Sequence, residues 1–113
     1  MNGYKETLRR LAVRDDRYID SLLRADQDEA QLAGMDARSH SLARIGALIA
    51  LDAGPPAYMA SVEEALHAGV SEEEIVGTLI ALLPIVGVPR VVSAASNLGL
   101  ALGYDVAAAL ELT

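Results

Sequence analysis

The chain has 113 residues, 52% of them apolar, which is enough for one small domain with a packed core. Its formal net charge of −7 argues against a nucleic-acid partner, because a negative surface repels phosphate backbones. It contains no cysteine, so disulfides, thiolate metal sites and thiol nucleophiles are excluded together. We expect a cytoplasmic protein, because the first residues, MNGYKE, hold no apolar signal-peptide core.

Helical periodicity dominates the chain, and the pattern of an alternating strand is not evident. The first helical region covers residues 5–24, with a break or kink expected near Asp15-Asp16. Its basic side chains are interleaved with acidic ones, which indicates a solvated face of mixed charge. Residues 25–35 are polar, and we interpret them as a linker.

The next two helices are predicted from their end signals. Asp36 is a good N-cap for a helix that should reach about Asp52. Gly54-Pro55-Pro56 should end that helix and begin another, because proline is tolerated in a first helical turn. This helix should end near His67, with Gly69 as its C-terminal stop.

Three more helices follow in the last third of the chain. Residues 71–74, SEEE, predict a capping box, and their negative charge is favourable at a helix start. We expect Pro84 and Gly87 to close that helix, and the next to run over residues 88–102. Asp105 should cap a short last helix.

Between Ile75 and Tyr104 the only charged side chain is Arg90. Pro84, Gly87 and Pro89 divide this stretch near its middle. Neither part reaches the roughly 18 uninterrupted apolar residues of a membrane-spanning helix. We therefore expect two helices buried inside a homo-oligomer, and no membrane partner.

Four polar residues are candidates for a site. His40 and Arg44 are one helical turn apart, so Arg44 is a candidate clamp for a carboxylate and His40 a candidate proton carrier. A polar stripe at a surface or interface explains the same spacing. Tyr58 and Ser61 lie near a helix start, where backbone N–H groups can hold an anion. A core tyrosine is the alternative interpretation of Tyr58.

No metal or cofactor is predicted. The two histidines form no metal-binding motif, and a glycine-rich phosphate loop is absent from the sequence.

Three sequence runs occur in an order typical of one protein family: MDAR with ARIGAL (35–38, 43–48), VEEALHAGVSEEEIV (62–76) and GVPR (87–90). Through them, residues 35–103 resemble the carboxymuconolactone decarboxylase family, which also holds the alkylhydroperoxidase D-like proteins. The resemblance implies an all-α fold that assembles as homotrimers or homohexamers. It predicts a single domain of this type over residues 1–113.

The residues that work in the family's redox members are missing here. Those members carry a Cys-x-x-Cys motif, whose positions fall on Gly54 and Ala57, and a histidine whose position falls on Ser61. Their glutamate falls on Leu42. Peroxidase chemistry through this relay is therefore excluded. The lactone decarboxylases keep the histidine, so their pattern also fails at Ser61.

Our leading hypothesis is a carboxymuconolactone decarboxylase-like protein without redox cysteines that is a small-molecule-binding or structural oligomer. The alternative is a cofactor-free lyase, decarboxylase or isomerase that acts on a small carboxylate or lactone. In that enzyme His40 and Arg44 would be catalytic, and Tyr58 and Ser61 would bind the substrate. A surface that binds a membrane or a partner protein is the third hypothesis.

Overall fold

A computed structural model describes residues 3–111, and these form eight α-helices and no β-strand. The predicted all-α class is thereby confirmed. None of the helices over residues 3–111 has the length and apolar content needed to cross a bilayer. The helices are α1 (Tyr4–Ala12), α2 (Asp16–Leu23), α3 (Glu29–Ala33), α4 (Ala37–Leu51), α5 (Pro55–His67), α6 (Glu72–Val86), α7 (Val88–Ala101) and α8 (Val106–Glu111).

The chain divides into two compact units, Met1–Gly34 and Met35–Thr113. The second unit begins at Met35, which is also the first residue of the segment that resembles the carboxymuconolactone decarboxylase family. The single domain over residues 1–113 stays a prediction.

In the first unit, the break predicted near Asp15-Asp16 is confirmed. Arg14 has a left-handed backbone with φ of 55°, and the Asp15 carboxylate accepts the Tyr18 N–H at 3.1 Å to cap α2. This capping bond stabilises the start of α2 directly after the break. The Glu6 carboxylate accepts hydrogen bonds from Arg9 and Arg10, so the face of mixed charge is also present.

The predicted linker at residues 25–35 was wrong in part, because it contains the short helix α3. The Asp28 carboxylate accepts the N–H groups of Ala30 at 3.0 Å and Gln31 at 3.2 Å, and left-handed Gly34 ends the helix. The cap and the stop mark the two ends of α3, and Ala30 is buried, but five residues are too few to show helical periodicity.

The second unit begins its helices where the sequence predicts. The Asp36 carboxylate caps α4 by accepting the Ser39 N–H at 2.8 Å. Gly54 precedes the two prolines of the first turn of α5. The Ser71–Glu74 capping box of α6 is complete, with both of its hydrogen bonds present.

Pro84 does not close α6 as we predicted, because the helix continues through it to Val86. Proline has no N–H group to donate to the carbonyl one turn earlier, but here the missing hydrogen bond lies in the last turn of the helix. The Gly87 N–H still donates to the Leu83 carbonyl at 3.1 Å. Gly87, with φ of 90°, ends the helix in a conformation that favours glycine.

The core of the second unit lies between α4, α5, α6 and α7. Its buried positions repeat at helical spacing, so each helix turns one apolar face inward. Burial of each large side chain stabilises the fold by about 1.5–3 kcal/mol. The core residues are Ile45 and Ile49 on α4, Tyr58, Val62 and Ala65 on α5, Val70, Ile75 and Leu79 on and before α6, and Ala94 and Leu98 on α7.

A second set of apolar side chains in this unit faces outward. Ile80 is 73% exposed and Ile85 is 77% exposed, although both belong to the stretch that holds Arg90 as its one charge. An apolar surface of this kind is typical of an interaction site. The exposed set also includes Leu51, Val88, Val92 and Leu100.

Candidate functional site

An apolar pocket of about 590 Å³ lies in the second unit, beside α6 and α7. The chain between α7 and α8 forms part of its wall. Ile80 and Tyr104 are exposed, so the pocket is open to solvent. Its lining consists of Glu72, Glu73, Val76, Gly77, Leu79 and Ile80 from α6, Ala95, Leu98 and Gly99 from α7, and Leu102, Tyr104 and Val106.

The wall at the end of α7 depends on Gly99. A Cβ atom there would lie 2.7 Å from the Tyr104 carbonyl oxygen and 3.0 Å from a methyl group of Val106. The Tyr104 N–H donates to the Gly99 carbonyl at 2.7 Å, which holds the chain against the helix. Glycine therefore lets the segment before α8 approach α7 closely.

Gly77 has the opposite environment, because a Cβ atom there would meet no atom within 4 Å. The pocket thus has free space directly above the α6 backbone. A Cβ atom at this position would therefore not clash.

The charged side chains of the lining are both acidic, Glu72 and Glu73. The third glutamate of this run, Glu74, is engaged elsewhere: Arg38 on α4 donates to its carboxylate, and so does the Ser71 N–H. The Arg38 guanidinium is the main cause that lowers the pKa of Glu74 to about 2. The three glutamates that we interpreted as capping residues therefore divide into one cap and two pocket residues.

The predicted site residues do not line this pocket. His40 is half-buried and Arg44 is exposed, one turn apart on α4 as expected. Tyr58 is fully buried in the core, and Ser61 is half-buried one turn further along α5. The catalytic and binding roles of these four residues stay predictions.

Tyr58 is the most unusual of the four. Its hydroxyl is buried and has no hydrogen-bond partner among residues 3–111. Burial, and secondly the negative charge of Asp52, raise the pKa of this phenol above its usual 10.0. The group therefore stays protonated at neutral pH and is a hydrogen-bond donor. The Asp52 carboxylate accepts the Ser93 hydroxyl at 2.7 Å, which ties the end of α4 to α7.

The backbone at the start of α5 has fewer free N–H donors for an anion than we predicted. Pro55 and Pro56 occupy its first two positions and have no N–H group. The next N–H, that of Ala57, donates to the Gly54 carbonyl at 3.2 Å. The donors that make a helix start an anion site are thus missing or already in use.

Over residues 3–111, His, Asp and Glu side chains do not gather in threes as a metal site requires. The positions that the resemblance assigns to the redox relay hold groups without redox chemistry. Gly54 and Ala57 stand at the start of α5, with Ser61 one turn after Ala57, and Leu42 packs against the core from α4.

The chain matches no family model, and neither a curated protein nor a solved structure matches it significantly. The resemblance to the carboxymuconolactone decarboxylase family therefore stays a prediction.

The pocket was not predicted from the sequence. Gly77 inside α6 was the available signal, because a glycine in a helix interior weakens the helix and often has a packing or functional reason. Tyr104 and Glu73 carry no comparable signal, since only packing brings them to the same pocket.

Proposed function

We propose that this chain is a small-molecule-binding subunit of a homo-oligomer, with a carboxymuconolactone decarboxylase-like fold that lacks the redox cysteines. The observation that carries the proposal is the pocket beside α6 and α7. Its volume of about 590 Å³ falls in the range of about 300–1,000 Å³ typical of ligand sites. Apolar walls with a few polar groups are the usual composition of such sites.

The assembly part of the proposal is supported by the outward apolar side chains of the second unit. Ile85 and Val92 lie outside the pocket lining and are exposed in the single chain. Burial against other copies would remove this apolar area from water. The family resemblance implies a trimer or a hexamer.

Gly77 provides the test of the pocket. We expect Gly77→Leu to fill the pocket and to weaken binding of a neutral, polarity-sensitive dye by at least about tenfold, measured by fluorescence titration. The fold should persist, because a Cβ atom at Gly77 meets open space.

Gly77→Ala is the matched control. It adds one methyl group, should leave dye binding unchanged, and should raise the free energy of unfolding by about 0.5–1 kcal/mol through helix propensity. Wild-type affinity in Gly77→Leu would show that the dye binds elsewhere and would contradict the proposal.

A second candidate is the cofactor-free lyase or isomerase for a small carboxylate or lactone. The buried Tyr58 hydroxyl favours it, because a neutral phenol without a partner is suited to donate a hydrogen bond to a substrate. Arg44 would bind the carboxylate and His40 would carry the proton. Turnover that survives in Tyr58→Phe would contradict this candidate.

A further inference from the structure

We propose that the pocket beside α6 and α7 selects a hydrophobic molecule with a positively charged end, such as an alkylamine or a quaternary ammonium compound. This inference rests on the proposed function, that the pocket binds a small molecule. It replaces the small carboxylate expected from the sequence with a ligand of opposite charge.

Charged and apolar side chains follow one another along α6. Glu72 and Glu73 lie in its first turn, and Val76, Leu79 and Ile80 line the same pocket further along. From Glu72 to Ile80 the helix rises about 12 Å. A ligand that follows this wall meets carboxylates at one end and apolar side chains along the rest.

The net charge of the pocket lining is negative. The lining contains two carboxylates and no Lys, Arg or His. The helix start contributes roughly half a positive elementary charge, which is smaller than the two negative charges of the carboxylates. Glu74 does not change this balance, because Arg38 pairs with it. The pocket therefore attracts a cation and repels a carboxylate.

Tyr104 adds an aromatic side chain to the same lining. Aromatic ring faces attract cations, and quaternary ammonium groups are commonly recognised in this way. A ring and two carboxylates in one apolar pocket suit an ammonium group with an apolar tail better than they suit a neutral molecule.

The test compares three ligands that share one tail: decyltrimethylammonium, 1-decanol and decanoate, each below its critical micelle concentration. Each displaces the neutral dye from the full-length protein in a fluorescence titration. At low ionic strength we expect the cation to bind at least about tenfold more tightly than decanoate, with the alcohol between them. The difference should shrink at about 1 M salt, where surface charges are screened.

The double variant Glu72→Gln/Glu73→Gln should lose most of this preference while keeping affinity for 1-decanol. The matched control is Glu63→Gln/Glu64→Gln, which changes the net charge equally at exposed positions of α5 outside the pocket lining. It should keep the wild-type preference. Equal loss in both double variants would assign the preference to net charge and overturn the inference.

Two further outcomes separate this inference from the proposed function. If all three ligands bind equally and Gly77→Leu blocks them, the pocket binds small molecules without selecting charge, and only the inference fails. If Gly77→Leu instead dissociates the oligomer in light scattering, the pocket holds a second copy of the chain, and both fail.

Discussion

At the scale of single residues, Tyr58 combines a stabilising ring with a costly hydroxyl. The ring is fully buried among core side chains of α4, α5 and α7. The hydroxyl has no partner among residues 3–111, and a buried polar group without a hydrogen bond costs about 1–3 kcal/mol. A residue that retains such a group is a candidate for a role beyond packing.

We expect Tyr58→Phe to leave the free energy of unfolding unchanged or to raise it by up to about 3 kcal/mol, because it removes only the unpaired hydroxyl. Tyr58→Ala should lower it by about 3–5 kcal/mol, because it also removes the ring. Chemical denaturation of both variants measures the two effects. A clear loss of stability in Tyr58→Phe would show that the hydroxyl has a hydrogen-bond partner in solution.

At the scale of helices, Glu74 joins two elements. It completes the capping box at the start of α6 and accepts a hydrogen bond from Arg38 on α4. Its pKa falls from 4.5 to about 2, with Arg38 as the largest cause. A lowered carboxyl pKa stabilises the fold above the unfolded pKa, and this contribution is lost as the pH falls through the folded pKa.

Glu74→Gln tests this link. Glutamine can still complete the capping box, but it carries no charge for Arg38. We therefore expect the variant to lose stability less steeply than wild type between about pH 4.5 and pH 2. Glu6 titrates over the same range in the first unit, so the measured quantity is the difference between the two proteins in thermal unfolding. Parallel pH profiles would contradict the assignment.

At the scale of the whole molecule, many large apolar side chains of the second unit lie outside its core and are exposed. The stretch from Ile75 to Tyr104 supplies core residues such as Leu79 and Leu98, and it also supplies exposed ones such as Ile85 and Val92. Both groups come from a stretch whose only charged side chain is Arg90, so burial of the exposed group between copies fits the composition.

We expect the wild-type protein to be an oligomer by size-exclusion chromatography with light scattering. Ile85→Lys should lower its mass, because a charge in an apolar interface is costly. The matched control is Leu23→Lys, since Leu23 is equally exposed at 79% but belongs to the first unit. A wild-type monomer, or equal dissociation in both variants, would contradict an interface formed by the outward face of the second unit.

Much of the fold was predictable because its signals are local. The caps at Asp36 and Ser71 act on backbone groups three residues away, so they can be recognised in the sequence itself. Pro84 is one exception, because a proline in a last turn is compatible with the helix when a later glycine ends it. The four predicted site residues also lie on the helices expected for them, α4 and α5.

The sequence by itself determined the helical class, the main helix starts and the absence of thiol chemistry, because composition and short-range spacing are sufficient for these. Only the tertiary structure decided which glutamates belong to a pocket. Arg38 is 36 residues from Glu74 in the chain, yet it pairs with that carboxylate, while Glu72 and Glu73 line the pocket with Tyr104. Helix packing sets these contacts, and residues distant in sequence meet in ways that local periodicity does not specify.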